Sequence, residues 1–241
     1  MRRPHHPGAF EVRGQVLTFD TLSTSPIPPD IFNNHASEIK TLWAGARGEL
    51  LKSLENFRLC GKSNNKEKIF SEMTYCLLTP QSKAVYCWAA VGGLKKKGLL
   101  FKGDSQKIAA ALKKVRFPNN KSRYIMEART KLPEIMGFLK LENDPVKLRN
   151  WLVKNIRGYG FKEASHFLRN VGKGEKLAIL DRHILRNLKN FGAIKEIPQA
   201  ISGKLYLEIE KKFMLFAKRL KIPPAELDLL LWYKETGKVF K

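Results

Sequence analysis

An all-α protein is what this sequence predicts, on three observations. From Ile31 onward, apolar residues recur at spacings of three and four, the pattern of one buried helix face. No strand-like run of comparable quality interrupts them. Gly172, Gly192, Gly237 and the pair Pro223-Pro224 fall where helices would stop or start.

The elements follow in order. Residues 1–29 are rich in Pro, His, Ser and Thr, with mild alternation over 11–19 that would suit a short strand; they read as a loosely attached arm, closed by Pro28-Pro29-Asp30. A helical domain follows over 30–241. Its first half predicts helices over 30–46, 48–60, 66–78, 82–97 and 104–115. In the third of these Ile69, Met73, Cys76 and Leu77 face inward, which makes Cys76 a core residue rather than a reactive thiol. The segment 120–137 continues as helix, kinked or broken near Pro133. Asn143-Asp144-Pro145 opens the next helix. Beyond residue 181 the pattern gives helices over 182–191 and 204–220, and a last one opened by Pro223-Pro224, with Leu227, Leu230 and Leu231 inward and Gly237 as its stop.

Composition narrows the partner. The 241 residues carry 45 Lys and Arg against 22 Asp and Glu, a net charge of +23 and a pI near 10.0. Such an excess favours a polyanion. Nucleic acid fits better than a membrane, because no apolar run approaches the roughly 20 residues a spanning helix needs. A hydrophobic share of 43% supports a folded binder rather than a basic tail. Cys60, Cys76 and Cys87 have no metal-ligand spacing, so neither a disulfide framework nor a metal site is expected. With Arg2 and Arg3 but no apolar segment before residue 28, the secretory pattern is missing, and the chain is expected inside the cell with DNA.

The most informative stretch is 148–172. Leu148, Leu152 and Ile156 share one helix face, Gly158 and Gly160 bracket Tyr159, and Ala164, Phe167 and Leu168 face inward from a second helix that Gly172 stops. This is a helix-hairpin-helix. Its glycines suit a tight turn with positive φ and two bare amides, which can meet a phosphate without reading sequence.

Lys162 stands in the first turn of the second helix, where the helix dipole disfavours a cation. A lowered lysine pKa is expected there, and with it more of the free amine a nucleophile requires. The plainer reading is a solvated lysine or a phosphate contact. Asp181 follows the apolar run Leu177-Ala178-Ile179-Leu180 and precedes a helical pattern, so it reads as an N-cap; a carboxylate accepting backbone N–H bonds stays ionised and can also stabilise cationic charge on a neighbouring sugar.

Gly158-Tyr159-Gly160-Phe161-Lys162 followed by Leu180-Asp181-Arg182-His183 resembles the helix-hairpin-helix, Gly/Pro-rich loop, Asp superfamily of DNA base-excision glycosylases. Lys162 through Asn170 and the ending Trp232 through Lys241 are similar to the compact, archaeal-type 8-oxoguanine DNA glycosylase/AP lyases, and the likeness covers roughly 30–241. It implies two helical lobes flanking a basic cleft, a monomer acting on double-stranded DNA that contains oxidised guanine, and removal of that base through a Schiff base on Lys162 with Asp181 assisting. It also implies a base pocket using Trp232 and Lys241, whose terminal carboxylate would accept the N7 proton that oxidised guanine has and guanine lacks. No cofactor is required, although a potassium or sodium ion at the hairpin carbonyls fits the family. The chain has no cysteine after Cys87, which separates it from the iron-sulfur members.

Two loops are further candidates for DNA contact. Gln81, in Thr79-Pro80-Gln81-Ser82-Lys83, is either a polar turn residue or a side chain that fills the gap left by an extruded base. Phe117, in a basic loop from Arg116 to Tyr124, is either a core residue or a wedge between base pairs. His166 and His183 read as structural. Two rivals remain open from sequence: a glycosylase for another damaged or mispaired base, and a helix-hairpin-helix binder with no catalysis.

Overall fold

The computed structural model describes the backbone of residues 29–239 and the side chains of 36–239; within them the chain is helical with no strand. The N-terminal arm, its candidate strand and Lys241 lie outside the described residues. The helices are α1 (Pro29–Lys62), α2 (Lys66–Leu78), α3 (Ala84–Lys96), α4 (Leu99–Lys102), α5 (Ser105–Ala111), α6 (Pro118–Thr130), α7 (Leu132–Leu141), α8 (Pro145–Asn155), α9 (Phe161–Asn170), α10 (Arg182–Asn190), α11 (Gly203–Leu220) and α12 (Pro224–Thr236).

Four expectations need correction or refinement. The helices expected over 30–46 and 48–60 are one, α1, of 34 residues. Gly45 and Gly48 each cost about 1 kcal/mol against alanine but keep their N–H groups, so the ladder runs through them. The inward row Ile39, Ala46, Leu50, Leu54 and Phe57 holds it in place. Helix α2 is buried on every side from Ile69 to Leu78, including Ser71, Glu72 and Thr74, not on one face alone. The helix expected over 104–115 is the shorter α5, which Asp104 caps by accepting the Lys107 N–H at 2.8 Å. The break expected near Pro133 falls at Lys131, which leaves the proline in the first turn of α7, where a missing N–H does no harm.

The apolar side chains form two cores. The first gathers Ile69 through Leu177, from α2 to the segment after α9. The second joins α1, from Ala36 to Phe57, to residues between Ala178 and Leu231. The chain passes from one to the other at Leu177-Ala178. The segment from Leu177 to Asp181 is irregular and has no strand partner, so several of its backbone polar groups need side chains. Glu210 Oε1 accepts the Ala178 N–H at 2.9 Å, and the Tyr206 hydroxyl donates to the Ala178 carbonyl at 2.7 Å and accepts the Leu180 N–H at 3.3 Å.

Behind this segment Glu210 pairs with Arg149 at 2.6 Å, the guanidinium being 1% exposed and lying over the Phe161 and Tyr206 rings. A second buried pair, Arg169 with Asp228 at 2.6 Å, joins α9 to α12. Arg169 also donates to Asn170, whose amide donates to Glu72 of α2 at 2.9 Å. Burial, partly opposed by Arg169 and reinforced by the charge of Asp181, pushes the Asp228 carboxyl up to about 6.

Removing one member of a buried pair strands the other as an unpaired charge, which costs about 3–5 kcal/mol. Glu210→Leu is therefore expected to lower the unfolding free energy by that amount in urea titrations, and a loss under about 1 kcal/mol would show that Arg149 finds another partner.

Candidate active site

The hairpin is built by local chemistry. Asp144 caps α8 by accepting the Val146 N–H at 2.8 Å, and Leu148, Leu152 and Ile156 seat that helix in the first core. Tyr159 closes the turn by donating its N–H to the Ile156 carbonyl at 3.1 Å, and its buried hydroxyl donates to the Met73 carbonyl at 3.0 Å, so the turn is fastened to α2.

Gly158 has φ of 89°, and a Cβ there would come within 2.5 Å of the Tyr124 ring, so only glycine fits. Gly160 differs from expectation: its φ of −99° is ordinary extended backbone. Its amide is not bare either, since Glu163 Oε2 accepts it at 3.3 Å.

Helix α9 places Lys162 in its first turn, with the side chain 23% exposed. Nζ lies 2.9 Å from Glu163 Oε1 and donates to Thr79 Oγ1 at 3.2 Å. The expected lowering of its pKa is overturned. Burial does push the ammonium down, but the Glu163 carboxylate, with help from Asp181, pushes it up further, and the group ends above the usual lysine range. A full carboxylate at contact distance outweighs the half-charge of a helix terminus.

Asp181 is the N-cap of α10, as the sequence predicts: Oδ1 accepts the His183 and Ile184 N–H groups, each at 2.9 Å. Its other oxygen, Oδ2, accepts the indole N–H of Trp232 at 3.1 Å. The cap thus spends one oxygen on the helix and one on a partly buried tryptophan of α12. The His183 ring meets Trp232 edge-on at 5.6 Å, and His183 Nδ1 stands 3.6 Å from Glu235. His166 is 8% exposed and edge-on to Tyr75 at 5.4 Å. Lys162, Asp181 and Trp232 therefore belong to one locality, joined by the field of Asp181 on Lys162 and by its bond to Trp232.

Gln81 and Phe117 are both exposed, and Phe117 at 48% is no core residue. Each has positive φ, 54° and 59°, which costs a non-glycine residue about 1–2 kcal/mol. Arg116 lies over the Phe117 ring at 5.4 Å. Two surface depressions, one lined by Gly61, Lys62 and Met136 and the other by Val146, Leu177 and Met214, include neither Lys162 nor Asp181.

The sequence analysis missed Glu163 and Thr79 as neighbours of the amine. Glu163 carried a signal, an acid three residues after a helix start, where it can reach back to the N-cap amide. Thr79 carried none, being 83 positions from Lys162.

An all-helical chain whose hairpin presents a lysine within the field of a capping aspartate is of the helix-hairpin-helix class. More closely, residues 50–222 match the Ogg-HhH family, 8-oxoguanine DNA glycosylase, and the chain belongs to that family. It is 44% identical to an 8-oxoguanine DNA glycosylase/AP lyase of Fusobacterium nucleatum over 87% of this chain and 99% of that one. A relative of the same name from Saccharolobus solfataricus is 39% identical over 81% and 95%. The crystal structure of the 8-oxoguanine DNA glycosylase of Thermotoga maritima superimposes with a TM-score of 0.80 at 33% identity, covering 87% of this chain and 100% of that one. That of the Methanocaldococcus jannaschii 8-oxoguanine glycosylase/lyase, in complex with a 15mer DNA containing 8-oxoguanine, gives 0.78 at 34%, covering 86% and 100%.

Because Glu163 is the largest influence raising Lys162, Glu163→Gln leaves burial dominant and is expected to lower the titration midpoint of Lys162. A pH titration of the Lys162 side-chain carbon resonances by NMR reads this directly. An unchanged midpoint would mean that Glu163 does not set the charge of the amine.

Proposed function

We propose that this chain, as a monomer, excises 8-oxoguanine from double-stranded DNA and then nicks the strand by β-elimination through a Schiff base on Lys162. The observation that carries this reading is a half-buried amine at residue 162 within the field of a capped carboxylate at residue 181, which in turn binds the indole of residue 232. Membership of the family supports it.

The chemistry requires the damaged nucleotide to leave the duplex, which costs a few kcal/mol, recovered by stacking and phosphate contacts. A basic cleft between the two cores would receive it. The helix-hairpin-helix turn at Gly158 and the chain's positive charge suit the sugar-phosphate backbone. A potassium or sodium ion at the hairpin carbonyls would add a bridging charge; carbonyl oxygens are the donor type that suits such an ion, and no step depends on it.

Lys162 rests as an ammonium, so it must first lose a proton, and Glu163 Oε1 at 2.9 Å is its nearest anionic acceptor. The free amine then attacks C1′ of the extruded sugar as the glycosidic bond breaks and its electron pair departs with the base. Positive charge grows on the sugar during this step, and Asp181, fixed by two backbone N–H groups and an indole, stands ready to hold it without reorganising. Opening of the C1′–O4′ bond, with a proton passing from the nitrogen to O4′, turns this adduct into a Schiff base whose C2′ hydrogen is acidic; its removal expels the 3′ phosphate and cuts the strand. Trp232 offers a face to the purine, while an acceptor for the N7 proton, assigned by resemblance to Lys241, rejects guanine, whose N7 is itself an acceptor.

Borohydride is expected to trap a covalent complex with an 8-oxoguanine duplex more strongly than with duplexes carrying other lesions. Lys162→Gln should abolish the trapped band, and persistence of that band would remove Lys162 from its role. Asp181→Asn is expected to bind the duplex normally while losing about 100-fold or more in single-turnover excision. Normal excision in that variant would leave Asp181 as a helix cap only.

A further inference from the structure

Gln81 and Phe117 sit on loops from different parts of the chain, one after α2 and the other before α6. One buried ammonium serves both. Lys121 of α6 is 4% exposed, and its Nζ donates to the carbonyls of Leu78 and Pro80, each at 2.7 Å, and to Ser82 Oγ at 3.1 Å. An ammonium has three donors, and all three are used. The acceptors bracket Gln81: Pro80 precedes it and Ser82 follows it.

The second loop is held through the same atoms. Ser82 Oγ also accepts the backbone N–H of Arg116 at 3.1 Å, and the backbone N–H of Lys121 donates to the Phe117 carbonyl at 3.1 Å. Ser82 Oγ is thus the junction between the loops. The two residues on either side of the junction are both left-handed, with φ of 54° at Gln81 and 59° at Phe117. Such conformations persist in non-glycine residues only where the surroundings over-determine them. The tie also reaches Lys162: Thr79, whose hydroxyl accepts from that amine, lies between the two carbonyls that Lys121 grips.

A lysine that merely filled space here would be costly. Burial pushes the Lys121 ammonium down to about 8, against the attraction of the Cys87 and Glu163 groups and with the repulsion of Lys162 and Arg116. An apolar side chain would pack without that cost, but would leave both carbonyls and the Ser82 hydroxyl without their common donor.

We propose that Lys121 and Ser82 are positioning residues for base extrusion, tying the Gln81 and Phe117 loops into one rigid unit that enters the duplex together. The inference rests on the glycosylase reading above and takes the DNA-contacting alternative for each side chain, Gln81 filling the vacated space and Phe117 wedging between bases. Separately mobile loops would fill the vacated space and wedge the opposite strand at different moments, and the duplex would close between them. Loops fixed to each other act on both strands in one event.

The test compares two reactions of each variant. Excision from an 8-oxoguanine duplex under single-turnover conditions needs extrusion. β-Elimination at a preformed abasic site in single-stranded DNA needs Lys162 but no extrusion. Ser82→Ala removes the junction while leaving both carbonyl contacts of Lys121, and Lys121→Met removes the whole tie. In Ser82→Ala the duplex rate is expected to fall about tenfold or more, with elimination on the single strand within about twofold of wild type. Lys121→Met should skew the same ratio further. The fluorescence rise of 2-aminopurine placed beside the lesion, which reports unstacking, should slow in step with the duplex rate. If both reactions fall by one factor, or neither falls in Ser82→Ala, the inference is overturned. A wild-type chain that fails on the duplex overturns the functional reading and this inference with it, whereas an active wild type beside an unimpaired Ser82→Ala overturns this inference alone.

Discussion

Five residues of irregular chain with no strand beside them set the terms for the rest of the molecule. From Leu177 to Asp181 the backbone passes between two hydrophobic cores, where it can neither reach water nor join a sheet. Glu210 and Tyr206 supply the missing partners from α11, and Arg149 from α8 holds Glu210 in place. The segment is held ahead of Asp181 by these side chains together with the Leu177 N–H on the Gly174 carbonyl and the Asp181 N–H on the Ile179 carbonyl. A strand in a sheet shares such restraint over many bonds. Here a few contacts carry it, so the location of the carboxylate depends in part on the Arg149–Glu210 pair.

The same logic places the amine. Helix α9 is gripped at its C-terminal end by Arg169 with Asp228, and at its start by the hairpin that Tyr159 fastens to α2. Its face of Ala164, Phe167 and Leu168 packs in the first core, while Phe161 touches the second. Lys162 therefore stands where the cores adjoin, opposite a residue delivered by the crossing segment. Asp228 and Trp232 are one turn apart on α12, so the pair that anchors α9 also fixes the helix whose indole binds Asp181.

How much of this was readable from sequence followed from how local each cause was. Asp144, Asp181 and Gly172 announced helix ends because a cap acts within three or four residues. Gly45 and Gly48 misled for the complementary reason: a glycine weakens a helix locally, but the packing of Leu50 and Leu54 against distant elements decides whether it breaks. The burial of Glu72 and Thr74 was invisible, because the amide that meets Glu72 belongs to Asn170, 98 positions away. Lys162 and Asp181 were singled out through their motif. The charge of Lys162 was misjudged because the dipole of its own helix was counted and the carboxylate of its immediate neighbour was not.

That carboxylate has a consequence for how the chain coexists with ordinary metabolism. A deprotonated lysine that is partly exposed to solvent condenses with whatever small carbonyl compound diffuses past, and sugars and aldehydes are abundant. Held as a cation by Glu163, the side chain has no lone pair to offer them. While that ion pair lasts the side chain is latent, so the contact with Glu163 also guards it against glycation.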